Sequence, residues 1–127
     1  MGENLRIQAI VLSMKPFDVL VVNELRYYRE VIANVVPMLR PHIEVRTAEP
    51  ELLDHELSHL NPDLVVCSRA TPTIRTRCSA WVELYPDGQP LGVVCIRGQS
   101  STVHDIELDG LLSIIDRAEQ ARIASTI

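Results

Sequence analysis

Apolar and polar positions fall into blocks along this chain, and the blocks change character near residue 80. Residues 18–24, Asp-Val-Leu-Val-Val-Asn-Glu, and residues 62–72, Pro-Asp-Leu-Val-Val-Cys-Ser-Arg-Ala-Thr-Pro, each hold a short apolar run that ends abruptly in polar side chains. Such a run is too short for a buried helix. It fits a central strand of a parallel sheet, covered on both faces and delivering polar groups to the sheet's carboxyl edge. Between the two runs, residues 24–40 carry Leu25, Tyr28, Val31, Ile32, Val35 and Leu39 at helical spacing, which predicts a core-facing stripe. Pro37 should kink or shorten the last turn of that helix. Residues 43–47 alternate like a short strand. Pro50 suits the first turn of a helix running to about residue 60, with Leu53, Leu57 and Leu60 inward. Asn61-Pro62 then stops it and launches the next strand.

After residue 68 the pattern changes. Residues 69–79 leave room for only a turn or two of helix. Residues 80–85 and 91–96 form two apolar runs around Pro86-Asp-Gly-Gln89, which predicts a β-hairpin. A polar connection at residues 97–102 precedes a final helix over about 108–124 that buries Leu111, Leu112, Ile115 and Ala118. Residues 1–13 stand apart as an N-terminal extension, either disordered or an extra edge strand. Residues 14–127 form a single domain.

The strand-terminal residues Asn23-Glu24 and Ser68, with Pro72 a short gap beyond, give the chain a resemblance to the response-regulator receiver family. In that family the first strand ends in an acidic pair that holds Mg²⁺. The third ends in the aspartate that accepts phosphate. The resemblance implies an α/β, flavodoxin-like three-layer sandwich. Its truncated form here would be a mainly parallel five-stranded sheet with an antiparallel β-hairpin at one edge. It also implies a disabled site, because Asn23 is neutral, Ser68 stands where the phosphoacceptor would be, and the family's lysine has no counterpart. Lys15 is the only lysine among the twelve basic residues, and it precedes the first strand. The expectation is a non-catalytic pseudo-receiver that signals by protein–protein contact. Asn23, Glu24, Ser68 and Arg69 would line its vestigial pocket.

Composition sets the outer limits. A chain of 127 residues, 46% apolar and 23% charged, suits one globular domain. Its net charge of −5 argues against a broad nucleic-acid surface. No run approaches the roughly 18 to 20 apolar residues of a membrane span, and the first residues lack a signal-peptide pattern. Three cysteines cannot all pair, which favours a reduced, cytoplasmic setting.

Other chemistry competes with the receiver reading. Arg75 and Arg77, near Arg69, and Arg97 with Ser100, Ser101 and Thr102 lie on two loops expected at one sheet edge near Ser68. Guanidinium groups with hydroxyls would hold a phosphate or carboxylate there, which makes a small-molecule or anion-binding domain the alternative function. Trp81, Leu84 and Tyr85 give the hairpin more bulk than one small strand needs. They are candidates for an interface, with a homodimer as the expected assembly. His55-Glu56-Leu-Ser-His59 matches the H-E-x-x-H pattern of zinc hydrolases, with Glu83 or His104 as distant third ligands. Both histidines fall opposite Leu53, Leu57 and Leu60, so solvent exposure is the expectation and no cofactor is assigned. A zinc site from Cys67, Cys78, Cys95 and His104 would need four separate segments and is the weakest of these signals.

Overall fold

The computed structural model describes residues 15–86 and 89–126. The N-terminal extension of residues 1–13 lies outside them. The elements in chain order are β1 (Phe17–Val21), α1 (Arg26–Leu39), β2 (Ile43–Thr47), a 3₁₀ turn (Pro50–Leu52) continuing into α2 (Leu53–His59), β3 (Leu64–Cys67), α3 (Pro72–Arg77), β4 (Ala80–Leu84), β5 (Leu91–Ile96), β6 (Gln99–His104) and α4 (Leu108–Thr126).

All six strands join one sheet in the order β2-β1-β3-β4-β5-β6. β1 pairs parallel with β2 and β3, and β3 pairs parallel with β4. The register sets Val19 beside Leu64 and Val21 beside Val66. β5 and β6 then run antiparallel. Every residue of β1, β3 and β4 is buried, apolar throughout except Asp18 and Glu83, as near-continuous apolar runs covered on both faces are.

Strand alternation sorts the core into two layers. Val19, Val21, Leu64, Val66 and Val82 pack with Ile32 and Val36 of α1 and with Leu111 and Ile115 of α4. On the other face Leu20, Val22, Val65 and Trp81 pack with Leu53 and Leu57 of α2 and with Ile74 of α3. The result is an α/β sandwich of three layers. Arg40 clamps the end of α1 to Asp116 of α4 through two bonds of 2.8 and 2.9 Å. At the amino edge Asp63 accepts from the Asp18 backbone N–H (2.9 Å) and from Arg122 (3.0 Å), tying α4 to β1 and β3.

Several expectations need correction. Among the described residues the sheet has six strands, not five, because residues 99–104 form β6 instead of a loop. Arg97 and Gly98 make the tight turn before it, with φ of 53° and 83°. Positive φ at both central residues gives a turn whose twist suits a hairpin. An edge strand needs only a backbone ladder on one side, so its polar side chains carry no period-two signal. The hairpin β4–β5 is therefore not the edge: β6 covers β5. In α1 the buried stripe is Arg29, Ile32 and Val36, while Leu25, Tyr28, Val31 and Leu39 are exposed. Pro37 sits inside the last turn, and the helix ends two residues later.

Candidate functional site

In open α/β sheets, ligands collect outside the carboxyl ends of strands where the strand order reverses. Here that point lies between β1 and β3, because the chain passes from β1 out to β2 and returns to β3. Val22 continues the ladder, its N–H donating to Val66 (2.8 Å). Asn23 and Glu24 follow on one strand and Ser68 and Arg69 on the other. The Glu24 backbone N–H donates to Ser68 Oγ at 2.9 Å. Ser68 thus ties the two strand ends together.

Arg29, one turn into α1, reaches back from its buried position. It donates to the carbonyls of Asn23 (2.7 Å) and Glu24 (3.2 Å) and fixes the turn between β1 and the helix. This residue was missed at the sequence level. A signal existed: Arg29, Ile32 and Val36 share the spacing of one helix face, so a charge on that stripe implies a buried partner.

Asn23 is 1% exposed, and its Oδ1 is buried without a hydrogen-bond partner. Leaving such an atom unpaired costs about 1–3 kcal/mol. Beside it lies an open cleft of about 440 Å³ lined by Glu24, Leu25, Tyr28, Ser68, Arg69 and Tyr85, among others. Tyr85, just after β4, has φ of 54°, stacks on Tyr28 at 5.9 Å and donates its hydroxyl proton to the Ile106 carbonyl. Burial raises the Tyr85 hydroxyl above its ordinary pKa. Asn23, Glu24, Ser68 and Arg69 are therefore brought to one edge, and Tyr28 and Tyr85 complete the wall.

The arginine cluster divides. β5 runs antiparallel to β4 and sets Ile96 opposite Ala80, so Arg97 lies at the amino edge, where its N–H donates to Ser79 (2.7 Å). Ser100 and Ser101 lie on β6, paired with Cys95 and Val94, and not on a loop near Ser68. Arg75 lies over the Trp81 ring at 4.7 Å and sits 3.7 Å from Glu83, which also accepts from the Ala70 N–H (2.7 Å). Arg77 ends α3, and that helix leads to the amino edge. One joint anion site near Ser68 is not formed, because an antiparallel strand returns its far end to the opposite side of the sheet.

Trp81 is 3% exposed and packs against α3, and Leu84 is buried against the α1/α4 layer. Neither is presented on the surface of the single chain, which corrects their reading as interface residues. Tyr85 remains half-buried at the crevice.

His55 and His59 are exposed, with ring centroids 4.7 Å apart. His59 Nδ1 lies 2.8 Å from Ser58 Oγ and 3.0 Å from the His55 carbonyl. Among the described residues no group of three His, Cys, Asp or Glu side chains is placed to hold a metal. Burial pushes the Cys67 thiol up to about 12, with Glu83 adding to the shift, and burial also raises Cys78. Such thiols are protonated at neutral pH and are weak nucleophiles and metal ligands.

Comparison with protein-family models, with curated proteins and with solved structures gives no match for this chain.

Proposed function

We propose that this protein is a non-catalytic, receiver-like regulatory module that works in the cytoplasm by protein–protein contact, with a second copy of the chain as partner. The observation that carries the reading is an apolar patch at the mouth of the carboxyl-edge crevice. Leu25, just before α1, is 60% exposed and Tyr27 of α1 72%, with Tyr28 and Val31 beside them and Leu108 of α4 across the groove. Tyr27 and Tyr28 touch at a centroid distance of 6.2 Å. Exposed apolar groups that adjoin one another mark contact surfaces more often than isolated ones do.

The receiver likeness rests on the first four strands, whose order is 2-1-3-4, and on the convergence of Asn23-Glu24 with Ser68. Phosphoryl transfer to a side chain needs an activated nucleophile and groups that stabilise the transferred oxygens. Ser68 is engaged as an acceptor, and Asn23 supplies no charge. Cys67, Cys78 and Cys95 are all free thiols, which suits a reducing compartment, and no helix among the described residues is long and apolar enough to cross a membrane. The anion-binding alternative has less support, since its arginines are split between two edges.

Incubation with a small phosphodonor and Mg²⁺ followed by intact-mass measurement tests the reading. The mass should stay unchanged, and a stable added phosphoryl group would overturn it. Light scattering tests the contact surface: a concentration-dependent dimer is expected, weakened in Tyr27→Asp. A wild-type protein that stays monomeric at every concentration removes the second copy as partner.

A further inference from the structure

Behind the Tyr28–Tyr85 stack, a second cavity of about 150 Å³ opens between α1 and the start of α4. Tyr28, Val31, Leu84, Tyr85, Leu108 and Leu111 form apolar walls. Glu107, exposed at the rim, is the only charged residue among the described residues lining it, and Asn23 contributes the polar base. Strand alternation explains why: Asn23 follows Val19 and Val21 on the face that α1 and α4 cover.

The base of this slot is chemically unfinished. The Asn23 carboxamide oxygen is buried and unpaired, although nearly all buried polar groups in folded proteins find a partner. Asp18 Oδ1 at the other edge at least faces Arg46 at 3.5 Å; Arg29 reaches only the backbone carbonyl of Asn23, and Asn23 Oδ1 has no hydrogen-bond partner among the described residues. Rotation of the amide presents either its oxygen or its nitrogen to the slot. A cavity of about this volume with apolar walls accommodates a benzene-sized group.

We propose that the slot binds a small, uncharged ligand with one hydroxyl or amide group, which pairs with Asn23 while its aromatic or branched hydrocarbon body lies between Tyr28 and Leu108. Glu107 at the rim, with no basic residue in the lining, selects against anions. The tyrosine pair supplies a flat wall for a ring. All of these groups belong to one chain, and Tyr28, Val31 and Leu108 also border the apolar patch of the proposed contact surface.

Protein-observed NMR titration of the full chain with phenol, toluene and benzoate tests this assignment. Phenol should bind saturably, shift the Asn23 side-chain amide, and bind about tenfold more tightly than toluene. Benzoate should not compete. Asn23→Leu should abolish the preference for phenol while toluene binding persists. Leu108→Trp, at a half-exposed position, should fill the slot and abolish binding of both while circular dichroism and melting remain those of the native protein. Equal binding of phenol and toluene to the wild type, or phenol binding undiminished in folded Leu108→Trp, overturns the proposal. So does the absence of saturable phenol binding, which would leave a buried water as the partner of Asn23.

Discussion

Asp18 and Asp116 respond to acid in opposite directions, because one is desolvated and the other is clamped. Burial raises Asp18 above its ordinary 3.8, outweighing the attraction of Arg46. Its folded form therefore takes up a proton before its unfolded form does. At neutral pH both forms are ionised, and the cost of burying the charge is fully felt. That cost is relieved as pH falls through the raised folded value toward 3.8. The hydrogen bonds from Arg40 lower Asp116, so its contribution is present above 3.8 and is lost only as pH falls through its lower folded value. Denaturant unfolding of wild type and Asp18→Asn between neutral pH and 3.8 separates the two effects. The wild type should gain stability relative to the variant on acidification, and a flat difference would contradict this account. Both residues lie away from the crevice, where Arg29 acts by geometry instead, holding the Asn23 and Glu24 carbonyls.

In β5, Gly92 sits where a side chain has no room. A Cβ on Gly92 would collide with Ile106 Cδ1 and lie 2.9 Å from the Glu83 carbonyl oxygen. The isoleucine tip has some freedom; the β4 backbone has little. Gly92→Ala should cost about 1–3 kcal/mol through overpacking. Gly98 differs: nothing lies within 4 Å, but its φ is 83°. Gly98→Ala should cost about 1 kcal/mol from backbone strain alone. Chemical denaturation of both variants should rank Gly92→Ala as the more harmful, and the reverse order would show that Ile106 yields freely. Thr71, followed by Pro72, caps α3 by accepting from the Ile74 N–H at 3.3 Å.

Across the whole molecule, the sheet carries two cores that share every central strand. Trp81, the only tryptophan, reports on the α2/α3 layer. Far-ultraviolet circular dichroism is weighted toward α4 and α1, the two longest helices, on the other face. Because Leu20 and Val65 support one layer while Val19 and Leu64 support the other, neither layer should survive loss of the sheet. Tryptophan emission and circular dichroism should follow one denaturation curve. Separate transitions would show that the α2/α3 layer melts by itself. The same arrangement places the crevice, the apolar patch of α1 and the Asn23 slot at one end. The amino edge is held by Asp63 and Arg122.

The buried strands were determined by the sequence itself, because a strand covered on both faces reads as a near-continuous apolar run, and 19–22 and 64–67 are such runs. Their polar ends announced Asn23, Glu24 and Ser68 as neighbours for the same reason. Tertiary structure alone decided which face of α1 is buried: Arg29 enters the core because two strand-end carbonyls receive it, leaving Leu25 and Val31 outside. It also decided the fate of Arg97 and of residues 99–104, since strand direction and edge pairing depend on backbone ladders that leave no mark in side-chain polarity. Trp81 shows the same limit: its bulk was legible, but only the seating of α3 across it determined that it would be covered.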